Sequence, residues 1–439
     1  MGSGGATGSG QAGGAGGLSD QPSGGNTGAD ASGGANTQLS EDFVVEVQLA
    51  SELAATAPTT VGVVTWSLPG ATITSATIEF GLDESYGMVA PVDLSEDDYR
   101  TLLLGMKPLT VYHLRVVAST DAGTLTSQDF TIETGEATDS VDLASFEIMN
   151  AASHEGGFII TSFWRGDGLS VIFILDADGD IVWWYDTGMN GVARARMSAD
   201  GKNMWMIAPS NTGSPLQRVS LDTLDAETYT DVIGSHDLTA VSGATMAFLD
   251  YGEPDCNSIF EIEPDGAPTE VWDSSDVVSG MCHGNALRYS KTEDIYTFSD
   301  VNTDIWIVSR SGEVQWSLAD KVDGGVSAWG GTNHGHQLLD ESFLLFANRG
   351  VSNTVSAAIE YDLEGNEIFN YDGGQFSANL GDVQRLPGGN TLVTYSNDGV
   401  IHEITPEKEV VMKIKSSGQS FGYALWVDSL YGEPSDIGL

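Results

Sequence analysis

Short runs of alternating apolar and polar residues recur along most of this chain, separated by clusters of Gly, Pro, Asp and Ser. Alternation places successive side chains on opposite faces of an extended segment, which is the period of a half-buried β-strand. No amphipathic pattern of helical period and useful length interrupts these runs. The pattern therefore predicts an all-β protein.

The runs between residues 41 and 137 are short, evenly spaced and bounded by turn residues; examples are residues 44–47, 62–66 and 112–117. This spacing predicts an antiparallel β-sandwich. The segment 109–116 is similar to the fibronectin type III pattern, in which a leucine and a tyrosine precede an inward strand. We expect a fibronectin type III-like β-sandwich over residues 41–137.

From residue 141 onward the pattern repeats with a period of roughly 45 residues, and each unit ends in a strand, a glycine turn and a second strand. A unit of this length is typical of the four-stranded blade of a β-propeller. Six units open near Phe146, Val192, Ser235, Cys282, Asn333 and Asn379. We expect a six-bladed β-propeller over residues 141–439, with the strand from Tyr423 to Val427 closing the ring.

Residues 1–40 consist largely of Gly, Ser, Ala, Asn and Thr, which predicts a disordered Gly/Ser-rich tether. Such tails commonly separate an exported domain from a membrane anchor. We therefore expect a periplasmic or extracellular protein, either secreted or held at the membrane as a lipoprotein with its lipid anchor on the tether. No apolar stretch is long enough for a transmembrane segment.

The formal charge is −46, from 63 acidic and 17 basic residues, so phosphate-rich partners are repelled and nucleic acid is excluded as a partner. The two cysteines, Cys256 and Cys282, each flank a predicted strand. In an oxidising compartment they predict a disulfide, with two buried free thiols as the alternative.

Histidine recurs where units of the predicted ring begin. His236, His283 and His334 open three consecutive units, and His336 follows in the third. Inner strands of a propeller surround a central channel and start at one of its mouths. A single histidine is more often an ordinary polar residue, but recurrence at equivalent positions favours a functional site to which the architecture brings several imidazoles.

The stretch 329–350 predicts two antiparallel strands joined by a tight turn, with His334 where the first begins and Arg349 where the second ends. Histidines are able to bind a metal, but a neighbouring guanidinium favours an anion over a cation. We therefore predict no metal at this site. An imidazole nitrogen is also able to take a sulfuryl or phosphoryl group as a nucleophile, with arginine stabilising the oxygens.

The order of several segments resembles the bacterial arylsulfotransferase family, best from His283 onward. These segments are His283-Gly284-Asn285, Trp306 to Trp316, Trp329 to Gly350, residues 356–362, Gly381 to Leu392, Glu403-Ile404 and Tyr423. The resemblance implies a periplasmic six-bladed propeller behind a β-sandwich. It also implies transfer of a sulfuryl group from a phenolic sulfate donor to a phenol acceptor, through a sulfohistidine and without a nucleotide cofactor.

By match to the motif, His334 resembles the histidine of the family's Gln-His segment and Arg349 its anion-holding arginine, while His236 and His283 resemble histidines of preceding blades. We assign these four residues to catalysis. Four further residues are assigned to substrate binding: His336, Asn285, Arg196 and Trp329.

The sixth unit opens with Leu380-Gly381-Asp382, and no histidine stands where blade spacing places the family's nucleophile. The alternative is therefore a non-catalytic propeller that binds a ligand or acts as a scaffold on the cell surface. A quinone-dependent dehydrogenase is a weaker alternative, because the regular tryptophan-docking signature and a vicinal cysteine pair are absent.

Overall fold

Strands make up nearly all of the regular structure of the computed structural model, which confirms the prediction of an all-β protein. The structure describes residues 38–164, 168–210, 213–251, 257–278, 282–349 and 354–432. Within these ranges the helices are one short α-helix and three 3-10 helices: α1 (Ala50–Leu53), Asp97–Tyr99, Ser274–Asp276 and Gly325–Trp329. None of these helices has the length and apolar character that a membrane span requires.

The first nine strands form two sheets that share one hydrophobic cluster. They are β1 (Gln38–Leu39), β2 (Val44–Leu49), β3 (Gly62–Ser67), β4 (Ile73–Gly81), β5 (Gly87–Pro91), β6 (Thr101–Leu103), β7 (Val111–Thr120), β8 (Gly123–Thr126) and β9 (Phe130–Glu133). One sheet has the order β1-β8-β7-β4-β5 with β9 on β7, and the other is β2-β3-β6. Alternation along β7 buries Tyr112, Leu114 and Val116 against Trp66 of the other sheet.

The remaining strands follow in antiparallel sheets along the chain. They are β10 (Leu143–Ile148), β11 (Phe158–Trp164), β12 (Leu169–Leu175), β13 (Ile181–Asn190), β14 (Arg194–Met197), β15 (Asn203–Ile207), β16 (Ser214–Ser220), β17 (Ala226–Ser242), β18 (Thr245–Asp250), β19 (Ser258–Ile262), β20 (Thr269–Asp273), β21 (Gly284–Ser290), β22 (Ile295–Asp300), β23 (Asp304–Ser309), β24 (Val314–Ser317), β25 (Asn333–Leu339), β26 (Ser342–Ala347), β27 (Ala357–Asp362), β28 (Glu367–Tyr371), β29 (Asp382–Arg385), β30 (Thr391–Tyr395), β31 (Val400–Ile404), β32 (Val410–Ser416), β33 (Ser420–Phe421) and β34 (Leu425–Val427).

Each of these sheets is built from strands in chain order. The sheets are β11-β12-β13, β14 to β20, β21 to β24, β25 to β28, and β29 to β32. The second has seven strands because β17 is continuous, pairing with β16 through its first half and with β18 through its second. The first strands of successive groups contact one another in the order β11, β14, β17, β21, β25 and β29, where β17 contributes its second half.

Strands near the beginning and the end of residues 143–427 connect the first of these sheets to the last. Strand β34 pairs with β11, and the side chain of Gln384 in β29 exchanges hydrogen bonds of 2.9 and 2.8 Å with the backbone of Trp426. Strand β10 pairs with β32, with Phe146 opposite Ile414. The prediction that the first unit opens near Phe146 is therefore wrong, because this strand completes the last sheet.

A lysine and a tyrosine connect the nine-strand region to the rest. The Lys107 ammonium lies 2.8, 2.8 and 2.6 Å from carboxylate oxygens of Asp176, Asp178 and Asp180 in the β12–β13 turn. Near the C-terminal end, the Tyr431 hydroxyl accepts a hydrogen bond of 2.6 Å from the backbone N–H of Leu104. These contacts fix the two regions against each other.

Candidate functional site

Irregular pairing at the starts of three inner strands positions the candidate histidines. In β17 the register shifts between Gly234 and Leu238, in β21 between Gly284 and Ala286, and in β25 between Asn333 and His336. Such a bulge turns side chains away from strict alternation. His236 lies in the first of these irregular segments with a φ of +65°, a left-handed conformation that a non-glycine residue adopts at a free-energy cost of about 1–3 kcal/mol.

His236 and His283 contact each other directly. Their Nε2 atoms are 3.1 Å apart, and Tyr251 stacks on the other side of His236 with ring centroids at 5.5 Å. The Ser235 hydroxyl donates to the carbonyl of Ser210 at 2.8 Å, so its oxygen accepts the Nδ1–H of His236 at 2.6 Å. In this network the Nε2 lone pair of His236 receives the Nε2–H of His283.

His334 is held by an amide whose orientation is itself fixed. Asn348 donates both amide hydrogens to backbone carbonyls, those of Ser377 at 2.9 Å and Leu380 at 2.7 Å. Its Oδ1 therefore points at His334 Nδ1, 2.5 Å away, and accepts the Nδ1–H. This tautomer leaves Nε2 of His334 with its lone pair, and Nε2 makes no hydrogen bond within the described residues.

All three imidazoles are neutral at pH 7. Burial and the nearby His283 and His334 rings lower the pKa of His236 well below its ordinary value. Burial lowers the pKa of His334 to about 4, although its hydrogen bond to Asn348 opposes the change. Burial also lowers the pKa of His283, against the attraction of the Asp300 carboxylate. The mutual influence of the rings places them at one site, which we call the histidine group (His236, His283 and His334).

Buried ion pairs lie beside the histidine group and form what we call the belt (Arg194, Asp237, Asp382 and Arg288). The Arg194 guanidinium donates to Asp237 at 2.6 and 3.1 Å and to Asp382 at 2.6 Å, with its Cζ 4.0 Å from the centroid of the Tyr423 ring. Arg288 donates to Asp382 at 2.7 Å. Together the belt connects the inner strands β14, β17, β21 and β29.

Backbone groups complete the belt. The N–H groups of Leu238 and Leu287 donate to the two oxygens of Asp237 at 2.8 and 2.9 Å. Arg288 Nε donates to the carbonyl of His336 at 3.1 Å. Gly335 is required beside the belt because a Cβ there would lie 1.9 Å from an oxygen of Asp382. Because Gly335 has no side chain, there is room for the Asp382 carboxylate beside β25.

Arg196 and His336 lie near the belt rather than in the histidine group. Arg196 is 5% exposed, and within the described part of the chain its Nε and Nη2 have no hydrogen-bond partner. His336 is fully buried, with Nε2 2.8 Å from Thr297 Oγ1, and burial together with the Arg288 charge lowers its pKa to about 3. The bulge before His336 gives it surroundings different from those of His334, although only Gly335 separates them.

Three other predicted residues have different environments. Arg349 is exposed and makes no ion pair within the described ranges. Asn285 is buried and donates to the carbonyl of Asn333 at 2.6 Å, so it joins β21 to β25. Trp329 is fully buried in a hydrophobic cluster, with its ring centroid 6.2 Å from that of Tyr361. The structure places Trp329 in the core rather than beside the histidine group.

The predicted disulfide depends on Cys256, which lies outside the described residues. Cys282 is buried, and its Sγ accepts a hydrogen bond of 3.7 Å from Ser274 Oγ. The pairing of the two cysteines therefore stays a prediction.

Sequence reasoning missed the residues that support the site. Asn348 and Ser235 orient the histidines, and Asp237 and Asp382 organise the arginines. Asp237 follows His236 directly, and Asn348 precedes Arg349, so adjacency to a candidate residue was the available signal. In the part of the chain that the structure describes, a grouping close enough to hold a metal ion occurs at Glu84, His113 and Asp129, outside the channel.

Comparison with known proteins gives no assignment from sequence, since no family model and no curated protein matches the chain. Several solved structures resemble it at low identity. TolB from Acinetobacter baumannii is 12% identical over 74% of this chain and 80% of that one, with a TM-score of 0.46. A catalytically inactive virginiamycin B lyase from Staphylococcus aureus with quinupristin is 15% identical over 61% and 87%, with a TM-score of 0.41.

A further similar structure is the WD40 β-propeller domain of Doa1, 12% identical over 63% of this chain and 88% of that domain, with a TM-score of 0.40. At these identities and TM-scores the similar structures carry no argument about the site or its chemistry.

Proposed function

We propose that this chain is an aryl-sulfate sulfotransferase that moves a sulfuryl group between phenolic compounds through a sulfohistidine on His334. The observation that carries the proposal is the state of this imidazole: Nδ1 is committed to Asn348, and Nε2 keeps its lone pair beside two further neutral imidazoles. A neutral ring with one oriented, uncommitted nitrogen is the form in which histidine acts as a nucleophile.

In the first half-reaction the Nε2 lone pair attacks the sulfur of the donor ester. The N–S bond forms as the S–O bond to the aromatic ring breaks, and the phenolate leaves with the bonding electrons. Positive charge develops on the ring, and the Nδ1–H bond to Asn348 Oδ1 strengthens in response. Asn348 thus supports the intermediate without changing its own position, because two carbonyls hold its amide.

In the second half-reaction the acceptor phenol attacks the same sulfur, and the N–S bond breaks and returns the electron pair to Nε2. The acceptor must lose its proton, and His283 is the base within the group that remains partly exposed. Its lowered pKa keeps it neutral and able to accept a proton at pH 7. We assign Arg349, exposed at the end of β26, to attracting the sulfate ester.

We further propose a six-bladed propeller over residues 141–439 and a fibronectin type III-like sandwich over residues 41–137. The order of inner strands from β11 to β29 supports the first, and the two sheets around one cluster support the second. The proposed partners are a phenolic sulfate donor and a phenol acceptor, with no cofactor. The proposed location is periplasmic or extracellular, with residues 1–40 as the tether to a lipid anchor.

The test is incubation of the protein with p-nitrophenyl sulfate and phenol. We expect nitrophenolate release that requires phenol, and a sulfate adduct on the peptide that contains His334. His334→Ala abolishes both signals, whereas His402→Ala, a histidine of the outer strand β31, leaves them unchanged. Release that survives in His334→Ala, with the adduct absent from that peptide, contradicts the proposal.

One observation favours the alternative of a ligand-binding or scaffolding propeller. Asp382 stands at the start of the sixth inner strand, and its carboxylate is committed to Arg194 and Arg288. A protein of this kind binds phenyl sulfate without nitrophenolate release. Calorimetric titration with phenyl sulfate, in parallel with the release assay, separates the two functions.

A further inference from the structure

Arg196 presents an unoccupied hydrogen-bonding edge inside the ring. It lies two residues beyond Arg194 on β14, so the two side chains point to the same face and their Cα atoms are about 6–7 Å apart. Each nitrogen of the Arg194 guanidinium donates to Asp237 or Asp382. In contrast, Nε and Nη2 of Arg196 are buried and have no partner among the residues that the structure describes.

The charges around Arg196 do not balance. The positive charges of Arg194 and Arg288 act on Arg196, and the carboxylates of Asp237 and Asp382 are the acidic groups that oppose them. The cluster therefore carries one net positive charge. The nearby His336 is neutral at pH 7 because its pKa is about 3, and Tyr423 is neutral because burial raises its pKa well above its ordinary value.

A buried cation without a counter-ion is costly. Burial and the charges of Arg194 and Arg288 disfavour the charged form of Arg196, which lowers its pKa well below the ordinary value. A guanidinium nevertheless keeps its proton in proteins. Water is able to fill the two donor positions, but only an anion also neutralises the charge.

We propose that the ring binds a small monovalent anion of carboxylate geometry on the Nε and Nη2 edge of Arg196. These two donors lie side by side, and two oxygens of one anion accept from both at once. The anion gives the cluster three negative and three positive charges. A halide satisfies the charge but is a single atom that both donors must share, whereas a carboxylate offers one oxygen to each donor, so a carboxylate binds more tightly than chloride.

This site lies beside the belt, because the charges of Arg194 and Arg288 act on Arg196. The inference does not depend on sulfuryl transfer. A protein inactive towards phenolic sulfates would still show the anion dependence described next.

The experiment measures thermal unfolding in sodium formate, sodium chloride and sodium gluconate at matched ionic strength, with gluconate as a bulkier carboxylate for comparison. For the full chain we expect Tm to rise with formate concentration beyond its value in gluconate, and to rise less with chloride. Calorimetric titration with formate gives the dissociation constant directly. Equal Tm in all three salts, with no formate binding by calorimetry, overturns the proposal.

Variants at Arg196 separate specific binding from general salt effects. Arg196→Met removes the charge and the fork, and we expect it to fold and to lose the difference between formate and gluconate. Arg196→Lys keeps the charge without the fork, so formate binding weakens by roughly tenfold. The control Arg218→Gln, in an ion pair with Glu227 on the outer strands β16 and β17, keeps the full difference. A difference that persists in Arg196→Met overturns the proposal.

Discussion

The belt and the histidine group lie side by side in the ring, are similarly buried, and are built in opposite ways. In the belt, Arg194 and Asp382 are almost fully buried and charged, and each contacts groups of the opposite sign. In the histidine group, no carboxylate of the described residues lies within hydrogen-bonding distance of the ring nitrogens of His236 or His334, whose partners are a hydroxyl, an amide and another imidazole.

The difference indicates what each region is for. A buried ion pair with complete hydrogen bonding fixes the geometry of the strands that contribute to it. A carboxylate partner would hold an imidazole in its protonated form and remove its lone pair from use. The belt therefore acts as a structural connection between strands, whereas burial keeps the neighbouring histidines neutral.

The largest expected effect comes from breaking the belt. Arg194→Met leaves Asp237 and Asp382 buried with fewer cations, and removing one partner of a buried pair costs roughly 3–5 kcal/mol. We expect a loss of that size in the free energy of unfolding, measured with urea at pH 7. Arg218→Met, which breaks a more exposed pair with Glu227, is the control and loses at most about 1 kcal/mol. Losses of equal size would show that the belt stabilises the protein no more than the exposed ion pair does.

The second prediction concerns how the free energy of unfolding changes at acidic pH because of the histidine group. The folded-state pKa of His334 is about 4, against 6.5 for an ordinary histidine. Between these values the unfolded chain binds a proton that the folded chain does not, so stability is present above pH 6.5 and falls as pH falls. For His334 alone the loss by pH 4 is on the order of 3 kcal/mol.

His334→Gln removes this contribution. We therefore expect the free energy of unfolding of this variant to decline less than that of the parent between pH 7 and pH 4.5, as measured by urea titration at each pH. His236 still contributes in both proteins, since its pKa is also lowered. Parallel declines in the two proteins would show that His334 is not neutral in the folded state.

A histidine with a carboxylate partner supplies the opposite case. His154 Nδ1 lies 2.5 Å from Glu403 Oε2, and its Nε2 lies 3.1 Å from the carbonyl of Ala177. Both partners are acceptors, so both nitrogens carry hydrogen and the ring is an imidazolium. The hydrogen bond to Glu403, opposed by burial, raises the pKa of His154 above its ordinary value.

Because this folded-state pKa is raised, the stabilisation by His154 is complete below about pH 6.5 and is lost as pH rises through the folded value. We expect His154→Gln to destabilise the protein by up to about 2 kcal/mol at pH 6, the range of a hydrogen bond to a charged group, and by less at pH 9. Glu403→Gln is expected to show the same pH window. A His154→Gln effect that grows towards pH 9 contradicts the assignment.

The strands and the positions of the histidines follow a sequence period and could be predicted from the sequence. The partners of the histidines depend on irregular strand pairing and could not. Alternation and the roughly 45-residue repeat predicted strands throughout, and the structure has them. The recurrence of histidine at unit starts selected His236, His283 and His334, which the structure brings to one site.

The neighbours of these histidines were beyond sequence reasoning for physical reasons. The hydrogen bond between His334 and Asn348 spans two paired strands, and the contacts of Arg194 with Asp382 span 188 positions of the chain. Bulges in β25 and β17 also break the alternation that would place each side chain. Sequence analysis assigned Arg196 to substrate binding. Its excess of positive charge becomes visible only in the structure, where the charges of Arg194 and Arg288 act on it.

The smallest expected effect on stability comes from Arg349, and it sharpens the comparison because this guanidinium has no carboxylate partner within the described residues. Because the Arg349 side chain is exposed, we expect Arg349→Gln to change the free energy of unfolding by less than about 0.5 kcal/mol. If Arg349 attracts the sulfate ester, the variant raises KM for p-nitrophenyl sulfate and leaves kcat nearly unchanged, since the interaction is present before the chemical step. Added salt should raise the parent's KM towards that of the variant, because the attraction between exposed charges is screened. If the KM of the variant is unchanged at low salt, Arg349 does not attract the sulfate ester to the histidine group, and another residue must do so.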